Sequence, residues 1–395
     1  MNGILVNRSE RWLVIAHEAS HSGAPLMLLE VLKGVRAARG PEWECEMIFN
    51  RGGPLLGEFA RLGTVRKVCP DWMEGAGICA RGLRVLRRLW PFRPACFVRW
   101  VRAWQRGGGG IIYSNTGTNG WLLGALPEGA GPVVSHVHEL GYSLRRFNLP
   151  WELATTLRRT DLFLAVSAAV KADLMALGVA EGRIRCVANF LSEVAAVPDT
   201  AAARAEVCRW LGLAAGARLV TTCGHIDRVK GTDLFVDVAR AFAEAEGDAP
   251  VFVCVGGDGD GAFAVEVRAR GAGLVRFVGA VADPAMYFAA SEAVLVTSRA
   301  ESFSRVVLEA GVLGRPVLAF AAARGPAEVL EEGALVCELS AEAMAGALMA
   351  LLVDKDKAAR AGERLRQRII DGFTAERWIG EIWRHVESLR AEVRT

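Results

Sequence analysis

Short β-branched, apolar runs alternate with amphipathic helical stretches along this chain, and that alternation leaves few folds open. RWLVIAHE, ECEMIFN, GIIYSN, PVVSHVHE, DLFLAVS and IRCVANF are the strand candidates of the first half. Helical segments lie between them, among them APLMLLEVLKGVRAARG, which closes on Gly40 as a helix C-terminus does. Such a pattern builds βαβ units, which pair their strands in parallel and carry helices on both faces. After Asn189 the stretch LSEVAAVPDTAAARAE carries no strand signal and reads as a connector. A second series follows in RLVTTCGH, PVFVCVGG, VRFVGA, EAVLVTS, RPVLAF and ALVCE. With 395 residues, too many for one ordinary core, the chain is expected to form two doubly wound α/β domains, 1–192 and 193–395. Ligands of these sheets bind beyond the carboxyl ends of the strands, and two such edges are expected to face one another across a cleft. From about residue 355 the text is helical, and Trp378 and Trp383 are expected to dock it, packing the terminal helices back toward the N-terminal domain.

Composition narrows the function classes. Hydrophobic residues make up 52% and charged residues 23%, the balance of a globular chain. A net charge of +3 gives no sign of a nucleic-acid partner, and none is expected. Lysine stands only at positions 33, 67, 171, 230, 355 and 357, so the basic character is arginine's and follows genome composition as much as function. Nine cysteines show neither CxxC pairs nor zinc spacing and are expected as buried, reduced thiols of a cytoplasmic protein. MNGILVNRSERWLVIAHE lacks a charged-then-apolar leader, and no run of about eighteen apolar residues occurs, so no membrane span is expected.

Three stretches carry residues suited to chemistry. TTCGHIDRVKGTDLFVDVARAF ends a strand near His225, carries Arg228 and Lys230 in a short loop and opens an amphipathic helix at Gly231. The free N–H groups at a helix start attract anions, and two cations just ahead of them would suit a diphosphate. A solvated basic loop before an ordinary helix is the other reading of the same residues. VFVCVGGDGDGAF invites a dinucleotide reading, and Asp258 with Asp260 a metal reading. Turns use Asp and Gly for conformation alone, so no metal is expected there. In ESFSRVVLEA, Glu301 falls in a loop at a strand's carboxyl edge, and Glu309 falls one and a half turns into the next helix. Leu308, Ala310 and Val312 leave Glu309 little water, so its carboxylate needs hydrogen-bond donors, and a sugar diol supplies two.

Glu301, seven residues and then Glu309, followed by AGVLGRPVLAF, resemble the E-x7-E segment of retaining GT-B glycosyltransferases. Family 4, which makes bacterial polysaccharides and glycolipids, is the nearest resemblance. HEASHSGAPLMLLE resembles its N-terminal glycine loop, although Ser22-Gly23 stands where a Gly-Gly pair is usual. VSHVHE resembles the segment that brings a histidine to the donor sugar, and AVSAAVKADL the last helix entry of the N-terminal domain. VRFVGAVADPAMYFAASEAVLVTS resembles the strand and helix that hold the nucleobase.

The resemblance implies a GT-B fold in which 1–192 binds the acceptor and 193–395 the nucleotide sugar. It implies that Glu309 accepts hydrogen bonds from the ribose, and that Glu301 holds the donor sugar with the backbone amides of Ser302, Phe303 and Ser304. Arg228 and Lys230 would bind the diphosphate, and Phe277 and Val278 would lie at the base. His138 would stand near the reacting sugar, while Gly23 would let its loop approach phosphates and acceptor. His138, Arg228, Lys230 and Glu301 would be the catalytic set. No cofactor and no metal are implied. Retention needs no enzyme nucleophile when the leaving diphosphate assists the incoming hydroxyl on the same face, so catalysis is positioning and charge stabilisation. Without the resemblance, His138 reads as a core histidine and Gly23 as a loop glycine.

Two other functions fit these residues. A GT-B sugar-nucleotide 2-epimerase would call on His17, Glu18, His21, His136, His138 and Glu139 as acid/base groups, and a partner subunit would bind nucleotide without turnover. Residues 81–106 hold eight arginines and no acid, interleaved with Trp90, Phe92, Phe97, Trp100 and Trp104, which suits the interface of an anionic membrane. Core tryptophans in an arginine-rich chain would produce the same text, and Pro91 and Pro94 break it into two short helices. The expected acceptor is a glycan or lipid-linked saccharide. The expected location is the cytoplasm, peripheral to the inner face of the membrane.

Overall fold

The computed structural model describes residues 11–69, 94–192, 199–245, 249–257 and 261–394, with side chains through Glu392. Two compact units emerge, one of Met1–Asn189 with Ala375–Thr395 and one of Phe190–Thr374.

Unit one holds the strands β1 (Arg11–Ala16), β2 (Glu44–Phe49), β3 (Thr64–Lys67), β4 (Ile111–Ser114), β5 (Val133–Val137), β6 (Leu162–Ala165) and β7 (Ile184–Cys186). They form one parallel sheet in the order β3-β2-β1-β4-β5-β6-β7. Val14 of β1 pairs with Met47 on one side and Tyr113 on the other, and all three are buried. Strands covered on both faces need no polar alternation, which is why these segments read as unbroken apolar runs. The edge strand β3 has no such run: TVRK is polar and partly exposed, so the sequence pattern misses it.

Unit two repeats the plan with β8 (Leu219–Cys223), β9 (Val251–Val255), β10 (Val275–Gly279), β11 (Ala293–Val296), β12 (Val317–Phe320) and β13 (Leu335–Val336). Its order is β10-β9-β8-β11-β12-β13, again all parallel. Phe235, Phe242, Phe252 and Leu348 lie at the centre of its core. The connector reading needs correction. Asp199 accepts from the amides of Ala201 and Ala202 at 2.8 and 3.2 Å and caps a helix over Thr200–Trp210. An aspartate ahead of an alanine-rich stretch is a helix start, and it leaves no mark in a strand pattern.

Ala375–Arg394 forms a helix that belongs to unit one and lies against the helix Gly23–Arg39. Trp383 stacks on Trp12 with ring centroids 5.8 Å apart and planes 9° from parallel, and the Arg39 guanidinium sits 3.9 Å from the Trp383 centroid. Trp378 is half-buried beside Arg377.

Two further expectations change. Of the described cysteines, all free, Cys45, Cys208 and Cys254 are buried, Cys69, Cys96 and Cys223 are half-buried, and Cys186 and Cys337 are exposed. Of the basic aromatic stretch, 81–93 lies outside the described residues. The rest forms a helix, Ala95–Arg106, whose Phe97, Val101 and Trp104 are buried beside Leu13 and Trp121. Trp100 packs on the same core under Arg66, and Arg99, Arg102 and Arg106 face solvent. Phe97 and Trp104 therefore serve the core of unit one, while Trp100 is half-buried at its edge. Among the described residues no helix is long and apolar enough to cross a membrane.

Replacing Trp383 by alanine removes an aromatic stack and a cation–π contact from a half-buried site. We expect a loss of roughly 2–3 kcal/mol in chemical denaturation, below the range for fully buried tryptophans. An unchanged midpoint would show that the terminal helix docks without it.

Candidate active site

Both sheets reverse their strand order once, between β1 and β4 in unit one and between β8 and β11 in unit two. At such a point the loops that leave the two strands diverge, and a crevice opens beyond their carboxyl ends.

In unit two the loop after β8 carries Arg228 and Lys230, and the loop after β11 carries Glu301. Backbone packing ties the two together. Gly231 has φ 65°, and a Cβ there would stand 2.0 Å from the Thr297 carbonyl oxygen. Arg299 donates its backbone N–H to the Val229 carbonyl at 2.8 Å, and its Nη1 to the Arg228 carbonyl at 2.8 Å. Its two terminal nitrogens also grip both oxygens of buried Asp233, at 2.7 and 2.8 Å. Burial disfavours the Asp233 carboxylate, but the Arg299 fork outweighs that and holds its pKa below the ordinary value.

Lys230 and Glu301 meet across this seam. Lys230 Nζ donates to Glu301 Oε1 at 2.8 Å, and the Ser298 hydroxyl donates to the same oxygen at 2.6 Å. Burial pulls the lysine toward its neutral form, yet the charge and hydrogen bond of Glu301 prevail and lift its pKa above the usual range. The ammonium therefore stays charged, with N–H donors to spare. The backbone of Glu301 is pinned as well, its N–H donating to the Ala323 carbonyl at 2.9 Å and its carbonyl accepting from Gly325 at 3.1 Å. A Cβ at Gly325 would come within 2.6 Å of that carbonyl oxygen. Glu301 Oε2 accepts no hydrogen bond among the described residues, and the amides of Ser302, Phe303 and Ser304 find no acceptor there.

Glu309 lies in the helix Arg305–Val312, one turn beyond Arg305, whose Nε donates to Glu309 Oε1. Arg228 is exposed, with its guanidinium 4.8 Å from the Phe263 ring centroid. A concavity of about 290 Å³, counting its solvent-open part, is lined by Thr222, Cys223, Lys230, Ser298, Glu301 and Val306. Burial pushes the Cys223 thiol up to about 12, with Glu309 adding to the effect and Lys230 opposing it. Cys223 thus stays protonated between the two charged groups. The ring of Phe277 packs under Arg268, 5.0 Å from its guanidinium, and against Gly271, so only its backbone and Val278 remain for a ligand.

Unit one places its polar residues at its own reversal. His17, Glu18, Ser20 and Ser22 follow β1 and lead into the helix that starts at Gly23. A Cβ at Gly23 would meet nothing within 4 Å, so no packing within the described residues demands glycine there. Asn115 follows β4, and His138 and Glu139 follow β5. Glu139 accepts from Thr116, from the Gly117 amide at 3.0 Å and from the His138 amide at 3.1 Å, which makes it a loop brace. His136 is buried against the Tyr113 hydroxyl at 2.7 Å, and His21 is exposed. Of the six acid/base candidates, His136 and His138 lie ring to ring at 4.3 Å, His17 lies 3.7 Å from Glu18, Glu139 is taken up as a loop brace, and His21 faces solvent.

Sequence reasoning placed Arg228, Lys230, Glu301 and Glu309 on one sheet edge, and the structure sets Lys230 directly on Glu301. It missed Arg305, Arg299, Asp233, Ser298 and Asn115. Arg305 carried a signal in its i,i+4 spacing to Glu309. Asp233 and Arg299, 66 residues apart, carried none. Asp258 and Asp260 lie outside the described residues.

Residues 209–368 match the family model described as glycosyl transferases group 1, and residues 55–192 match that of glycosyltransferase family 4. No curated protein matches the chain in sequence. HepE of Anabaena in complex with UDP-glucose is 20% identical with a TM-score of 0.78, over 96% of this chain and 99% of that one. Sucrose-phosphate synthase of Thermosynechococcus elongatus is 21% identical with a TM-score of 0.71, over 97% and 100%. A variant of S. aureus TarM in complex with fondaparinux, alpha-GlcNAc-glycerol and UDP is 12% identical with a TM-score of 0.71, over 95% and 99%. At these identities the likeness establishes the fold, GT-B.

Gly231→Ala forces a left-handed backbone on a residue with a side chain and drives its Cβ into the Thr297 carbonyl. We expect a loss of roughly 2 kcal/mol or more in chemical denaturation. A variant as stable as the parent would mean that the two loops are free to move apart.

Proposed function

We propose, for a chain that is a group 1 glycosyltransferase of GT-B fold, that it moves a sugar from a nucleoside-diphosphate sugar to a glycan or lipid-linked saccharide with retention at the anomeric carbon. The observation that carries this reading is the meeting of Lys230 and Glu301 at the strand-order reversal of unit two, with Glu309 one helix further on. One Lys230 N–H is held by Glu301, which leaves two for the oxygens of a diphosphate. Glu301 Oε2 and the amides of Ser302, Phe303 and Ser304 are open to the donor sugar. Glu309 is given the ribose, Arg228 the diphosphate, and Val278 with the backbone of Phe277 the base. His138 and the loop at Gly23 are given to the donor sugar and the acceptor.

In this scheme the bond between the anomeric carbon and the diphosphate oxygen breaks with its electrons going to the diphosphate. The acceptor hydroxyl adds to the same face of the carbon, and its proton passes to the departing phosphate oxygen. Lys230, Arg228 and the helix beginning at Thr232 oppose the charge that grows there. Complexes of HepE with UDP-glucose and of TarM with UDP make a uridine diphosphate sugar the first donor to test. We place the reaction in the cytoplasm. Contact with an anionic membrane rests, among the described residues, on Arg99, Arg102 and Arg106 alone.

Two substitutions test the assignments. Glu309→Ala removes contact with a part of the donor that does not react, so we expect binding to weaken by about 1.5–3 kcal/mol in calorimetry. Lys230→Ala removes charge stabilisation in the transition state, so turnover should fall on the order of a hundredfold. Wild-type affinity and rate in both variants would overturn the site. Because the protein's own cations face the diphosphate, turnover should persist after exhaustive EDTA treatment. Activity abolished by EDTA and restored by Mg²⁺ or Mn²⁺ would assign a metal to the reaction.

A further inference from the structure

We propose that Asn115 is a positioning residue that holds His138 as the tautomer with its proton on Nε2, so that Nδ1 accepts a hydrogen bond from a sugar hydroxyl. The nature of the ligand rests on the transferase reading; the geometry rests on unit one alone.

Ala24, in the first turn of the helix Gly23–Arg39, offers its carbonyl oxygen to Asn115 Nδ2 at 2.9 Å. A carbonyl only accepts, so the amino side of the Asn115 amide must face Ala24. The amide oxygen then faces the other way, toward His138 Nε2 at 3.1 Å. An amide oxygen also only accepts, so Nε2 must carry the proton. The opposite tautomer would set two lone pairs against each other at that distance. Asn115 has little freedom to escape the choice, being fully buried with its own N–H donating to the Ile15 carbonyl at 2.9 Å.

A neutral imidazole with its proton on Nε2 has a lone pair on Nδ1, and no hydrogen bond within the described residues occupies it. Protonation would remove that lone pair, and the surroundings resist it. Burial, then the charges that His136 and His17 would carry, hold His138 well below the ordinary histidine range. The His136 ring lies 4.3 Å from that of His138, and His136 is itself kept neutral by burial, at about 3. Two carboxylates could oppose this. Glu139 bonds the His138 amide and is occupied by Thr116 and Gly117, while Glu18 lies 3.7 Å from His17. His138 thus meets its ligand as a neutral acceptor. It selects a ligand group that can donate, a hydroxyl, and rejects a carbonyl or phosphate oxygen in the same place.

The test uses the full chain labelled with ¹⁵N-histidine, and His138→Gln identifies the His138 signals in long-range ¹H–¹⁵N correlation spectra. At pH 7 the wild-type protein should show His138 neutral and protonated on Nε2. In Asn115→Leu the tautomer should shift toward Nδ1-protonated or mixed, with turnover of the sugar nucleotide down about tenfold at every pH. In Asn115→Asp an oxygen still faces Nε2, but its charge favours the imidazolium. That variant's turnover should fall as pH drops from 9 to 6, where the wild type stays flat. A wild-type His138 protonated on Nδ1, or charged at pH 7, would overturn the proposal without any variant having to fold. So would an unchanged tautomer in Asn115→Leu, or a flat profile in Asn115→Asp. A tautomer that shifts while turnover does not would remove His138 from sugar recognition. Failure of the transferase reading looks different: the wild-type spectra are as expected and no sugar nucleotide is turned over.

Discussion

The Gly231 backbone lies against the Thr297 carbonyl with no room for a side chain between them. That contact joins the loop leaving β8 to the loop leaving β11, and the proposed donor site depends on it. With the loops joined, Lys230 reaches Glu301, and Arg299 closes over Asp233 from the opposite direction. A lysine and a glutamate on separate mobile loops would lose most of their attraction to water and to side-chain entropy. Held by backbone, the same two groups face each other at a fixed distance, with one carboxylate oxygen and part of the ammonium still open. The order within the site comes from backbone packing, and charge is added to a frame already set.

The two units use electrostatics in opposite ways. Unit two gathers formal charge at its reversal point: Lys230 on Glu301, Arg299 on Asp233 and Arg305 on Glu309. Each carboxylate has a cationic partner, and at Asp233 the Arg299 fork holds the pKa below the ordinary value despite burial. Unit one sets two neutral hydrogen-bonding pairs beside its own reversal point, His136 on Tyr113 and His138 on Asn115, with the carboxylates Glu18 and Glu139 in the neighbouring loops. Burial drives both histidines to their neutral forms. A diphosphate calls for the first environment. Hydroxyl groups, which carry no charge, call for the second, where direction matters more than field strength.

Glu301, Glu309, Arg228 and Lys230 stand out together in the sequence because their spacing resembles a known pattern, and of these the structure joins Lys230 to Glu301. Their partners were harder to read. Arg305 lies four residues before Glu309 and could have been noticed. Ser298 and Arg299 sit in an ordinary strand-to-loop stretch, and nothing local marks them. Asn115 reads as the end of GIIYSN, and its meaning depends on a histidine 23 residues later and on one carbonyl of another helix. The stretch 81–106 shows the limit from the other side. In its described part, helix period and composition allowed either a membrane surface or a core, and burial of Phe97 and Trp104 settled their place.

The sequence by itself determined the βαβ rhythm, twelve of the thirteen described strands and the edge of each sheet at which the candidate residues lie. It could do so because strand and helix patterns are local, and because every loop leaving a parallel strand at its carboxyl end emerges on the same side. Tertiary structure decided the strand order, and with it the two reversal points. It also decided that β3 exists, that a helix follows Asp199, and which group each charged side chain meets. Those outcomes come from contacts between segments tens of residues apart, such as Gly231 with Thr297 and Asn115 with His138. Such contacts leave no period in the text, since their geometry arises only when the sheet brings distant loops to one edge.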